Sequence, residues 1–219
     1  MTQILCFGAS CVYGVGSSGG WADRLKRSLH EEMYAAKSLE IEAHEVHNLS
    51  IPGETISHLL TRVGQEIEAR SRDGRENLIL FEVGGNDSRA DGSPDNFVST
   101  PEQLTESLNK LYEATRPHAS KLLFVGLAPC DEAITSPKVN TLTNGRSYFT
   151  NERKKLMEDT VAAFCKEKGI AFVPLHEAAN ALGWQEKYLF ADGLHPNEEG
   201  AAWIFERVKP HVLELLGSK

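Results

Sequence analysis

The chain has 219 residues, enough for one domain with a full core, and a formal net charge of −8. Acidic and basic residues are interspersed without a basic cluster, which argues against nucleic acid and anionic membranes as partners. No apolar run approaches the roughly 20 residues that span a bilayer, and Met1-Thr2-Gln3 lacks the basic start of a signal peptide.

In chain order, an apolar run at residues 4–8 predicts a strand that ends on Gly8-Ala9-Ser10, a serine at a glycine turn. Trp21, Leu25, Leu29 and Met33 recur every four residues and predict a helix over 21–36. A second strand, 43–49, is flanked by His44 and His47 and precedes a turn at 48–53. Ile56, Leu59, Leu60, Val63 and Ile67 place one helix over 54–70. The third strand, 78–83, closes on Gly84-Gly85-Asn86-Asp87. Thr100-Pro101-Glu102, a threonine cap with proline first in line, opens a helix over 101–116. A fourth strand at 121–127 leads into a long Pro-, Asn-, Thr- and Gly-rich segment, 128–150. Leu156, Val161 and Phe164 mark the apolar face of a helix over 151–168, which Gly169 stops. A fifth strand, 170–174, is followed at some distance by Asp192-Gly193-Leu194-His195. Asn197, Glu198 and Glu199 then open a last helix over 197–216.

Strand and helix alternate throughout, and most strands are continuously apolar, so the fold class is α/β, a parallel sheet with helices on both faces. No linker, repeat or low-complexity tract divides the chain, so residues 1–219 read as a single domain. Of the four cysteines, Cys6, Cys11, Cys130 and Cys165, none forms a Cys-x-x-Cys pair. They read as reduced thiols of a cytoplasmic protein, with a Cys11–Cys130 disulfide as the alternative.

Open α/β sheets bind ligands beyond the carboxyl ends of their strands. Ser10, the 48–53 turn, Asn86 and Asp87, and the Asp192–His195 loop all fall on that one rim. A serine hydroxyl needs a base to take its proton, and His195 is the best placed. Asp192, three residues earlier, can hold the other ring nitrogen and stabilise the imidazolium.

Gly8-Ala9-Ser10, Gly53, Gly84-Gly85-Asn86-Asp87 and Asp192-x-x-His195 resemble, in order, the four blocks of the SGNH (GDSL-type) hydrolases. The resemblance implies a three-layer flavodoxin-like fold, with five parallel strands in the order 2-1-3-4-5. It also implies ester hydrolysis with no metal or other cofactor. By it, Ser10, His195 and Asp192 form the triad, and the N–H of Ser10, the N–H of Gly53 and the Asn86 amide form the oxyanion hole. Asp87 supports the loop. The first block departs from the usual Gly-Asp-Ser-Leu, since Ala9 stands where the family has aspartate. That aspartate lies outside the triad, so no proton-transfer group is lost.

Rival motifs are weaker. Gly14-Val15-Gly16-Ser17-Ser18-Gly19 has dinucleotide-loop spacing but starts well past the strand end. A metal-dependent phosphoesterase built on Asn86, Asp87, Asp192 and His195 leaves Ser10 without work. Cys11 reads as a packing thiol, and His44, His47 and His176 as surface or structural residues. An inactive binding module on an esterase fold is opposed by the complete set of site residues. The substrate is expected to be a small-molecule ester. The 128–150 segment, with Lys138, Arg146, Tyr148 and Phe149, does not look like the wall of a long lipid groove. Short acyl groups, acetyl above all, on a small or sugar-like alcohol are expected ahead of thioester or lysophospholipid substrates.

Overall fold

Strand β1, Thr2–Gly8, is buried at every position, as a strand covered on both faces must be. The computed structural model describes residues 2–35, 44–139 and 144–217. In it, β1 pairs in parallel with β2 (Glu45–Asn48) on one side and β3 (Glu76–Glu82) on the other. Parallel strands β4 (Lys121–Val125) and β5 (Ala171–Val173) extend the sheet beyond β3, giving the expected order β2-β1-β3-β4-β5.

Alternate residues of these strands feed two cores. Ile4, Cys6, Leu78, Leu80, Leu123 and Val125 pack under the helices Trp21–Ala35 and Glu198–Leu216. Leu5, Phe7, Ile79, Phe81 and Phe124 face the opposite side, under Val63–Arg70, Pro101–Thr115 and Asn151–Lys168. Phe81 centres that face, with ring centroids 5.5 Å from Phe7 and 5.1 Å from Phe124. The caps form as expected. Thr100 makes a full capping box with Gln103, Gly169 ends its helix at φ 68°, and Asn197 accepts the Gly200 N–H.

Four expectations need correction. The helix expected over 54–70 is two pieces, Ile56–Leu59 and Val63–Arg70. Between them the N–H of Thr61 and of Arg62 bond three residues back, which tightens the turn and shifts the register. Leu156 faces solvent, and the buried stripe of its helix is instead Lys154, Met157, Glu158, Val161, Phe164 and Cys165. The 128–150 segment is not plain loop. It carries a helical turn, Glu132–Thr135, and two short strands, Lys138–Val139 and Arg146–Tyr148, which pair with Ala90–Asp91 in an antiparallel sheet. The alternative Cys11–Cys130 disulfide is absent, and all four cysteines are free thiols. Position 43, expected to start β2, and position 36, expected to end the first helix, lie outside the described residues. Among the described residues no helix is long and apolar enough to cross a membrane.

Candidate active site

Ser10 begins a single helical turn, Ser10–Tyr13, directly off the end of β1. The turn is tight because Gly8 has no side chain. A Cβ there would lie 2.4 Å from Val12 Cγ2 and 2.9 Å from the Glu82 carbonyl oxygen. The Ser10 carbonyl accepts the N–H of Gly14 and of Val15, both at 2.9 Å, so the turn is held without any side-chain cap at Ala9.

Two neighbouring loops rise beside it. Gly53 sits at φ 82°, the left-handed region that favours glycine, with nothing within 4 Å of where a Cβ would point. Backbone conformation, not crowding, therefore selects glycine there. Asn86 donates from Nδ2 to the Glu54 carbonyl at 3.0 Å, which fixes its amide and leaves the second N–H of that group free to donate elsewhere. Asp87 is buried and turned away from the cleft. It accepts the Ile56 N–H at 3.2 Å and the Ser99 hydroxyl at 3.3 Å, tying two loops together. Burial raises its pKa, and those hydrogen bonds oppose the shift.

Across the cleft, Asp192 Oδ2 lies 2.5 Å from His195 Nδ1, while Oδ1 accepts the N–H of Leu194 at 3.0 Å and of His195 at 3.1 Å. Lys138 Nζ adds a further donor to Oδ2 at 2.9 Å and also reaches the Asp192 carbonyl at 3.1 Å. Burial pushes the Asp192 pKa up, but the bonds from His195, Lys138 and the backbone outweigh it and hold the carboxyl far below its usual range. A carboxylate at Oδ2 requires the proton on Nδ1, which leaves Nε2 of His195 as an acceptor.

Two spaces meet at the serine. An open cleft is lined by Ser10, Gly53, Asn86, Arg89, Lys138 and His195, among others. An enclosed cavity with about 50 Å³ of room lies behind it, lined by Glu82, Leu127, Lys154 and others. Ser10, Asn86, Phe149 and Leu194 border both, whereas His195 borders only the cleft. Among the described residues no hydrogen bond joins Ser10 to His195 directly. Such contacts often tighten only when substrate binds.

The rival groups are otherwise engaged. The thiol of Cys11 is pushed up to about 12, chiefly by burial and further by Glu82, which disfavours a thiolate nucleophile. The Ser18 N–H of the glycine loop bonds Glu198 at the start of the last helix, so the loop clamps that helix. Among the described residues no group of three or more His, Cys, Asp or Glu is placed to hold a metal ion. His47 pairs with Gln3 at 3.0 Å. His176 is buried, its pKa pushed down to about 4 chiefly by desolvation, and neither it nor His44 lines the cleft.

Several residues escaped the sequence reading as site components. Lys138 reads there only as pocket wall, because its partner lies 54 positions away. Glu82 was passed over although it carried a signal, since an acid inside an apolar strand requires a buried donor, and Trp21 Nε1 supplies one at 2.6 Å. Lys154 and Glu158 share the buried stripe of their helix, a spacing masked by the surrounding charges. Glu158 accepts the N–H of Leu127 at 2.7 Å and of Leu175 and His176 at 3.2 Å, and so braces the cavity wall.

Comparison with known proteins bears on the fold and the family. No curated protein matches the sequence. Among solved structures, the lipase/acylhydrolase from Enterococcus faecalis is 19% identical with a TM-score of 0.70, covering 97% of this chain and 95% of that one. TesA is 21% identical with a TM-score of 0.69, covering 98% and 99%. An acetyl xylan esterase variant from Geobacillus stearothermophilus is 15% identical with a TM-score of 0.67, covering 100% and 95%. At such identities these likenesses establish the fold. The family model for GDSL-like lipases and acylhydrolases matches residues 6–203. The chain belongs to the GDSL-like lipase/acylhydrolase family and is a serine carboxylic-ester hydrolase.

Proposed function

We propose that this single-domain hydrolase cleaves esters of short acyl groups through a Ser10–His195–Asp192 triad, in the cytoplasm. The observation that carries the reading is the Asp192–His195 contact of 2.5 Å, which leaves Nε2 of the imidazole for the cleft that Ser10 lines. Four free cysteines support a reducing compartment.

Ser10 Oγ attacks the ester carbonyl while His195 Nε2 takes the hydroxyl proton. Negative charge then develops on the carbonyl oxygen, and the N–H of Ser10, the N–H of Gly53 and the Asn86 amide receive it. His195 returns the proton to the departing alcohol. Water, deprotonated by the same imidazole, releases the acid from the acyl-enzyme.

His195 must reach the leaving oxygen, and it borders only the open cleft. The alcohol therefore leaves through the cleft and the acyl group occupies the enclosed cavity. About 50 Å³ of room holds only a few waters, since one needs at least about 10–15 Å³. That room favours an acetyl group, or one a few atoms longer, over the long acyl chain of a thioester or lysophospholipid. The acetyl xylan esterase among the structural relatives is in keeping with small acyl groups.

An acyl-length series of p-nitrophenyl esters, run with and without EDTA, tests this. Activity should peak between acetate and butanoate, ignore EDTA, and drop at least about 10³-fold in Ser10→Ala. A maximum at long chains would contradict the acyl assignment. Loss of activity with EDTA, or its survival in Ser10→Ala, would contradict the mechanism.

A further inference from the structure

Three consecutive basic residues, Arg153-Lys154-Lys155, lie in the first turns of the helix Asn151–Lys168, and they part company. Arg153 stacks on the Phe97 ring at 3.9 Å and donates to the Ser99 carbonyl. Lys155 pairs with Asp159 and Glu177. Lys154 turns inward. It is 5% exposed and lines the enclosed cavity beside Ser10. Among the described residues its ammonium makes no hydrogen bond and no ion pair. The stem is buried while Nζ is not one of the fully enclosed partnerless atoms, so the ammonium keeps access to open space and has no fixed acceptor.

The two carboxylates on the same cavity do not supply one. Glu54 is gripped by Arg62, through Nε at 2.7 Å and through Nη2. Glu82 is held by Trp21 Nε1 at 2.6 Å, and burial raises its pKa to about 7. Neither is within ion-pair distance of Lys154. The helix N-terminus adds further positive potential at this point. The cavity behind the nucleophile thus holds a cationic donor with no hydrogen-bonded acceptor, although Glu82 is near enough to feel its charge, on the side where the acyl group lies.

We infer that Lys154 selects acyl groups ending in a carboxylate, so that the favoured substrates are half-esters of short dicarboxylic acids. The acid's free carboxylate pairs with Lys154 while Ser10 attacks its ester carbonyl. This rests on the triad reading and narrows its acyl group. A neutral chain of the same length leaves the ammonium facing hydrocarbon with no hydrogen-bond acceptor, so discrimination comes from charge more than from shape. The cavity's small volume favours acids of malonyl or succinyl size.

The test compares kcat/KM for monoethyl succinate and ethyl butanoate, which differ by a carboxylate in place of a methyl group. This constant reports acylation and so is blind to how fast the acyl-enzyme breaks down. Wild type should favour the succinate ester by at least about tenfold, and Lys154→Met should reduce that ratio by a similar factor. A wild-type ratio of one or less, or a ratio unmoved by the substitution, overturns the inference. Thermal shift with free succinate against butanoate gives a second readout that needs no turnover. Succinate should raise the Tm of wild type and not of Lys154→Met. If neither ester is cleaved but this protection is seen, the anion subsite stands and the esterase reading falls. If succinate gives wild type no more protection than butanoate, the subsite falls. Should Lys154→Met not fold, Lys154→Gln takes its place, and the wild-type ratio remains decisive.

Discussion

At the scale of single residues, Asn86 shows how a polar side chain is prepared for chemistry. One N–H of its amide is fixed on the Glu54 carbonyl, so the other is oriented before substrate arrives. Asn86→Ala should lower kcat by roughly 10²–10³ with little change in thermal stability, as measured by steady-state kinetics and a melting curve. An unchanged kcat would remove it from the oxyanion hole. Glu82 makes a different expectation. Its carboxyl binds a proton more tightly in the fold, at about 7, than the ordinary 4.5, chiefly through burial and against the pull of Trp21 and Lys154. Native protein therefore holds more protons than unfolded chain between those values, and stability falls as pH rises through that window. Glu82→Gln removes this dependence and keeps an acceptor for Trp21. It should be more stable than wild type by up to about 3 kcal/mol at pH 8, with the difference vanishing near pH 4.5. Equal melting curves at both pH values would contradict the assignment. That Ser10, Asp192 and His195 meet at one cleft was legible in the sequence, because glycine or proline punctuation sets each at a turn on the same rim. Lys154 was not, because three adjacent charges look like a solvated surface until burial separates them.

At the scale of elements, what the sequence concealed was short. A strand of two or three residues has no measurable period, so Lys138–Val139 and Arg146–Tyr148 were indistinguishable from loop. Together with Ala90–Asp91 they form a small sheet beside the cleft, and Lys138 fastens that sheet to the Asp192 carboxylate. Lys138→Met should lower kcat/KM by about tenfold while leaving the main sheet intact, checked by kinetics alongside circular dichroism. Wild-type kinetics in that variant would show that this sheet and Asp192 are uncoupled. The divided helix over 54–70 teaches a related lesson. Its apolar residues keep helical spacing through the break, and Ile56, Leu59, Val63 and Ile67 are all buried. Periodicity reported the buried face correctly and was blind to the tightened turn between the halves. The long helices, by contrast, were found nearly to the residue, since Thr100, Gly169 and Asn197 mark their ends.

At the scale of the whole molecule, the site follows from topology. The chain moves from β1 outward to β2, then crosses back to β3 on the other side of β1, so the direction of winding reverses between β1 and β3. Crevices open at such reversals beyond the carboxyl ends of the strands. Ser10 leaves β1 there and Asn86 follows β3, while the loop after β5 brings Asp192 and His195 over the same rim. The strand–helix alternation was enough to foresee the α/β class and the shared rim. The strand order came from the family resemblance, because alternation alone does not say which strands are neighbours. The central claim is that Ser10 is the nucleophile activated by His195, and covalent capture tests it most directly. After incubation with a fluorophosphonate, peptide mass spectrometry should find one adduct, on Ser10, with labelling abolished in Ser10→Ala and strongly slowed in His195→Ala. An adduct on Cys11, or labelling that persists without Ser10, would contradict the account.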